Sequence, residues 1–248
     1  TTAGCGLSLA AAGAPAPPHT REMATPFFPT LEARAKKLNT LLCVGLDPHA
    51  ADLALPAGAS LEERAVAAEK FCVRLIDETH HVAAAFKPNS AFFEALGWRG
   101  VAALERVVEH VPNDVPVLLD AKRGDISTTA EAYADAAFAT PRASAVTVAP
   151  YMGWDSVEPF IRDAARGAFV LCKTSNASSK DFETLPVGSP AGEPVFVHVA
   201  RKVAEWNAAK RNVGMVVGAT DADAVAKARA AAPDVWILAP GVGFQGGD

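Results

Sequence analysis

From residue 41 onward, short apolar runs alternate with longer stretches in which apolar residues recur at helical spacing. Leu41–Leu46 reads as a strand and Leu61–Glu78 as an amphipathic helix. Ala83–Lys87 is a second strand, followed by helical material from Ser90 through His110. Pro116–Ala121 and Thr128–Phe138 form a third strand and helix. Four more strands, Ala145–Ala149, Phe169–Cys172, Val213–Val217 and Val235–Ala239, are separated by helices near 155–165, 195–209 and 221–231. The strands are continuously apolar rather than alternating, as strands buried on both faces are. Seven βα steps in series predict a parallel sheet covered by helices.

Units of this length favour a (β/α)₈ TIM barrel of the α/β class over an open doubly wound sheet. The polar residues decide between them. Asp47 follows strand one, Lys87 strand two, and Asp120 and Lys122 strand three. Pro150 and Tyr151 follow strand four, Lys173 and Ser175 strand five, Gly218 strand six, and Gly241 to Gln245 strand seven. An open sheet gathers its ligand groups at one switch point. A barrel gathers every C-terminal strand end onto one face, where its active site lies. After Asp248 no eighth βα unit follows. The expectation is therefore a barrel lacking its eighth strand and helix in the chain as given, with exposed edges on strands one and seven.

Composition changes this picture at the N-terminus. Residues 1–22 are rich in Ala, Gly, Pro, Ser and Thr, and their only charges are Arg21 and Glu22. Such a segment cannot bury enough surface to order itself, so it reads as a disordered leader ahead of a barrel domain over 23–248. The net charge of -5 argues against a nucleic-acid binder, which would carry a basic face. No apolar run has the length of a membrane-spanning helix. The cysteines at 5, 43, 72 and 172 form no CxxC pair. Cys43 and Cys172 lie in apolar runs as small buried thiols, and a reduced, cytoplasmic protein is expected. The six histidines are scattered, and no metal site is expected from them.

The densest chemistry is "LLDAKRGD", residues 118–125, which sets two acids and two bases at the tip of an apolar strand. On an extended strand, side chains two apart point the same way, so Asp120 and Lys122 are expected to project together. Asp125 lies past the strand and can curl back or reach a neighbouring subunit. Lys87 ends strand two, the expected neighbour of strand three, which makes a Lys-Asp-Lys-Asp array. A surface ion-pair cluster, worth only ~0–1 kcal/mol per pair, would explain charges at a rim. It would not explain their arrival straight after a fully apolar strand. Opposed titratable groups in a cleft mark functional sites.

"PGVGFQGGD" contains GxGxxG at Gly241, Gly243 and Gly246. The dinucleotide fingerprint belongs after the first strand of a βαβ unit, and here the pattern follows the last strand. A loop whose bare amides cradle a phosphate is the better reading, with Gln245 as an added donor; a tight turn is the bland alternative. In "CKTSNASSKD", residues 172–181, Ser175 and Asn176 can read a heterocycle edge, or the loop is only a solvated turn. Asp47 in "GLDPH" can accept from sugar hydroxyls, or serve as a turn residue before Pro48.

"GLDPH", "FKPNSAFFEALG", "DAKRGDI", "APYMGWDS", "KTSNAS" and "APGVGFQGGD" occur here in the order in which they resemble the orotidine 5′-phosphate decarboxylase family, in its branch carrying DxKRGDI. The resemblance runs from about Thr40 to Asp248. It implies a (β/α)₈ barrel that works as a homodimer without metal or organic cofactor and converts orotidine 5′-phosphate to uridine 5′-phosphate. It implies that Lys87, Asp120, Lys122 and Asp125 are the charged tetrad, with Asp125 contributed across the dimer. Asp47 would bind ribose, Ser175 the pyrimidine edge, and Thr129 the partner's ribose, with Ile126 on the same shared loop. Gln245 would bind phosphate, joined on the glycine-loop reading by the amides of Gly243, Gly246 and Gly247. A fused or associated orotate phosphoribosyltransferase fits as a partner, and no nucleic acid or membrane does.

The chemistry implied is electrostatic. Loss of CO₂ from C6 of the pyrimidine leaves a carbanion with no adjacent electron sink, so a preorganised field must stabilise it. Two rivals remain. A sugar-phosphate lyase or decarboxylase of the same superfamily would use Mg²⁺ to hold an enediolate. A non-catalytic barrel would bind or dimerise without turnover.

Overall fold

The computed structural model describes residues 25–139, 142–189 and 191–242. The expected leader at residues 1–22 and the expected phosphate loop at Gly243, Gln245, Gly246 and Gly247 lie outside the described residues. The first described helix, α1 (Phe27–Leu38), lies before the stretch expected to carry structure. Then come β1 (Cys43–Leu46), α2 (Leu61–Thr79), β2 (Ala85–Pro88), α3 (Ser90–Glu94) and α4 (Gly97–His110). β3 (Leu118–Arg123), α5 (Ser127–Phe138), β4 (Ala145–Val148), α6 (Trp154–Val157) and β5 (Gly167–Lys173) follow. α7 (Val195–Lys210), β6 (Val213–Val217), α8 (Ala222–Ala231) and β7 (Ile237–Leu238) complete the series.

All strand pairs are parallel. β1 pairs with β2, and β3 to β7 pair in sequence order. The bridges Phe86 to Val117 and Asn89 to Asp120 join the two sheets, with Phe86 N–H donating to Pro116 O at 3.0 Å. The result is the expected α/β architecture, seven neighbouring parallel strands among the described residues with helices outside.

Two expected helices differ. The helical stretch from Ser90 to His110 breaks at Gly97, whose φ of +67° suits glycine and turns the chain between α3 and α4. The helix near 155–165 reduces to the single turn of α6 and a 3₁₀ turn at Glu158–Ile161, because Pro159 cannot donate within a longer helix.

Strand alternation divides the core in two. Phe86, Leu119, Val146, Val148, Val170 and Met215 pack outward on the helices. Ala85, Leu118, Ala145, Phe169 and Val216 face inward and meet Phe27, Phe28, Leu31 and Ala35 of α1. Thus α1 floors the barrel at the N-terminal ends of the strands, with Phe28 stacked on Trp236 at 5.9 Å and edge-on to Phe169 at 5.5 Å. Arg34 ties α1 down through Nε to Ala83 O at 3.0 Å and an ion pair to Asp114 at 2.7 Å. An apolar cavity of about 60 Å³ between α1 and the strands lacks converging polar groups.

The same alternation fixes the ceiling of this inner layer. Two residues beyond Ala85, Leu118 and Ala145 come Lys87, Asp120 and Thr147. Two beyond Leu171 and Val216 come Lys173 and Gly218. A polar floor to an active-site mouth follows from period-2 geometry alone.

Candidate active site

Asp120 is the centre of the cluster, 8% exposed at the end of β3. Its carboxylate accepts from Lys87 Nζ at 3.3 Å, Lys122 Nζ at 2.7 Å and Thr147 Oγ1 at 2.8 Å. Burial works to raise the Asp120 carboxyl. The Lys87 charge, the hydrogen bond and charge of Lys122, and the Thr147 hydroxyl outweigh it and hold the group below its usual value. The aspartate is therefore a fixed negative charge between two ammonium groups.

The expected reason for the Asp120–Lys122 pairing needs correcting. Simple alternation does not operate here, because β3 bulges: four steps from Leu119 to Arg123 match two steps from Val146 to Val148 on β4. Lys122 has φ +47°, a left-handed conformation that a side-chain-bearing residue rarely adopts. Within the bulge the amides of Ala121 and Lys122 turn to a side chain of β4. Thr147 Oγ1 accepts from both, at 3.0 and 2.9 Å. Sequence reasoning missed Thr147. The available signal was the lone hydroxyl in the apolar run of β4.

The charge run itself divides by direction. Arg123 turns outward, forms an ion pair with Glu94, and lies 5.1 Å from the Tyr133 ring centroid. Asp125 accepts from its neighbour Ile126 N–H at 2.8 Å. Among the described residues it makes no ion pair with Lys87 or Lys122, so one chain assembles three members of the expected tetrad. Ile126 is half exposed, and Thr129 is exposed on the first turns of α5.

Asp47 follows β1, beside β2 and its Lys87. Its Oδ1 is buried and accepts from no described group. A carboxylate oxygen shielded from water and lacking a donor is suited to a ligand hydroxyl. Ser175 is exposed beyond β5. Its loop is clamped below by the buried Lys173, whose Nζ donates to Thr174 O and Ser179 Oγ at 2.8 Å each and lies 3.4 Å from Glu183. Glu183 in turn accepts from Thr174 N–H at 2.9 Å. Gly218 of the next strand lies tight against this loop: an added Cβ would sit 3.0 Å from Ser175 Cβ.

The described thiols offer no nucleophile. Burial pushes Cys43 up to about 11 and Cys72 and Cys172 up to about 12, so all three stay protonated near neutral pH. Among the described residues no group of three His, Cys, Asp or Glu side chains is placed to hold a metal ion. Nor is any helix long and apolar enough to cross a membrane.

Comparison with known proteins identifies the family of this fold. The chain is 48% identical over 223 residues to the orotidine 5′-phosphate decarboxylase of Roseiflexus castenholzii, covering 90% of this chain and 79% of that protein. The solved OMP decarboxylase of Leishmania donovani superposes with a TM-score of 0.77 at 48% identity, covering 88% of this chain and 80% of that one. The UMP synthase of the same organism superposes at 0.79 with 49% identity, covering 90% of this chain and 46% of that one. Residues 40–248 match the profile of a single family throughout, and with these similarities the chain belongs to the orotidine 5′-phosphate decarboxylase / HUMPS family.

Proposed function

We infer that this site removes CO₂ from orotidine 5′-phosphate to give uridine 5′-phosphate, the last step of de novo pyrimidine nucleotide synthesis. The observation that carries the mechanism is the Lys87–Asp120–Lys122 array, buried at one end and open at Lys122, which is half exposed. The C6–carboxylate bond breaks, CO₂ departs, and the electron pair stays on C6. The Lys122 ammonium stabilises that charge and then delivers its proton to C6. Asp120 holds the Lys122 ammonium in place at 2.7 Å and sets a negative charge beside the substrate carboxylate. Lys87 keeps Asp120 ionised.

The remaining assignments are proposals of the same reading. Asp47 accepts from the ribose, supported by its unpaired buried oxygen. Ser175 meets the pyrimidine edge, and Gly243, Gln245, Gly246 and Gly247 bind phosphate. Asp125, Ile126 and Thr129 serve a second copy of the chain in a homodimer, supported by Asp125 making no ion pair with Lys87 or Lys122 among the described residues. An orotate phosphoribosyltransferase, fused or separate, supplies the substrate. The barrel domain spans 23–248 and works in the cytoplasm without a cofactor.

The deciding experiment follows the loss of orotidine 5′-phosphate absorbance with a chelator present and identifies the product. Uridine 5′-phosphate and CO₂ in equal amounts are expected. No turnover, or turnover abolished by the chelator, would overturn the reading.

A further inference from the structure

We propose that Thr147 is a positioning residue of the decarboxylation, its one hydroxyl setting both the Asp120 carboxylate and the turn that aims Lys122. The inference rests on the proposed function. Its structural basis is the saturation of that hydroxyl. A threonine oxygen has one proton to give and two lone pairs to accept with. Thr147 uses all three, on Asp120 Oδ1, Ala121 N–H and Lys122 N–H, at 2.8, 3.0 and 2.9 Å. The residue is 1% exposed, so water cannot take its place.

The three bonds do different work. The donated bond fixes the rotation of the Asp120 carboxylate, leaving the same Oδ1 to receive Lys122 Nζ at 2.7 Å. The two accepted bonds hold the bulge in which Lys122 keeps its φ of +47°. A left-handed lysine persists only when its surroundings over-determine it. Thr147 is the group on β4 that does so. Both partners of the reacting pair are thus referenced to one buried atom on the neighbouring strand. Placement errors of about 1 Å in a reacting group can cost ~10²-fold in rate.

The test uses the purified full chain and two variants. Thr147→Val keeps the shape and removes the hydroxyl, and Thr147→Ser keeps the hydroxyl. Turnover by wild type establishes the reaction; its failure sinks the proposed function and not this assignment alone. Given an active wild type, Thr147→Val should lose about 10²-fold in kcat, with KM and the affinity for uridine 5′-phosphate changed by less than about threefold. Thr147→Ser should recover kcat to within about tenfold of wild type. Wild-type kcat in Thr147→Val, a loss confined to KM, or a folded Thr147→Ser as slow as the valine variant would each overturn the proposal. If Thr147→Val does not fold, Thr147→Cys replaces it, since a thiol donates and accepts weakly. The same split is then required: reduced kcat at unchanged KM supports the role, and unchanged kcat overturns it.

Discussion

Replacing Lys87 by methionine should destabilise the protein as well as slow it, and the size of the effect follows from the geometry. The ammonium lies 3.3 Å from Asp120, with the two side chains 15% and 11% exposed. At an effective dielectric of ~20 the attraction is about 5 kcal/mol. Part of this is offset because the variant no longer buries an ammonium, and Lys122 remains at 2.7 Å as a second partner. Breaking one side of a buried pair typically costs ~3–5 kcal/mol, and the surviving partner puts the expectation at the low end, about 3. For a domain of this size that is a fall in Tm of roughly 6–12 °C. The pH dependence has a definite sign. Asp120 is depressed, so its contribution is present above the unfolded carboxyl value of about 3.9 and is lost as pH falls through the lower folded value. The wild-type and Lys87→Met melting temperatures should therefore differ most at neutral pH and converge in acid. Calorimetric melts across pH provide the assay, with Lys87→Met/Asp120→Asn as the control. Removing the stranded carboxylate should restore most of the lost stability. A Lys87→Met melt unchanged at pH 7, or a double variant less stable than the single one, would refute the reasoning.

Lys122→Ala should lose several orders of magnitude in kcat, since general-acid delivery alone contributes ~10²–10⁴. A stopped-time assay finding more than about a tenth of wild-type activity would remove Lys122 from the proton-donor role. Inactive Asp125→Ala and Lys122→Ala chains, mixed and re-equilibrated, should recover roughly a quarter of wild-type sites, because about half the dimers are hybrids with one intact site of two. Mixtures that stay inactive would show that Asp125 is not shared between copies. Gly218→Ala should raise KM about tenfold by driving its Cβ against Ser175, with less effect on the Lys122 chemistry. An unchanged KM would mean that Ser175 does not touch the substrate.

Much of this was legible in the sequence where one period dominates. The seven strands were visible because each is an apolar run ended by a polar or turn residue. The Lys87–Asp120 pairing followed from strand adjacency. Lys122 was placed correctly for an incomplete reason: alternation cannot foresee a bulge, which depends on a hydroxyl contributed by another strand. Thr147 was invisible for the same cause, since a threonine inside a strand is ordinary until its partners are known. The helix α1 went unread because it follows a low-complexity stretch and carries Pro29 in its first turn, beside its apolar face of Phe27, Phe28, Leu31 and Ala35. The break at Gly97 was hidden within a continuous helical pattern. Asp125 was legible as a charge beyond the strand that could curl back or reach a neighbouring subunit; among the described residues it pairs with neither Lys87 nor Lys122 and accepts instead from Ile126 N–H.

The helix that floors the barrel also sets an order of events during synthesis. α1 is made first among the described elements, yet its phenylalanines dock on Phe169 of β5 and Trp236 beside β7. Those partners emerge from the ribosome long after α1, and Trp236 only with the last described strand. Until then Phe27 and Phe28 have no aromatic surface to meet, and contacts so distant along the chain close slowly. The nascent protein therefore carries an adhesive apolar helix until β7 is made, the kind of exposed surface that chaperones bind and that aggregates if they do not. Closure of the floor is the event that retires this hazard, and it requires the strands through β7 to be in place beforehand.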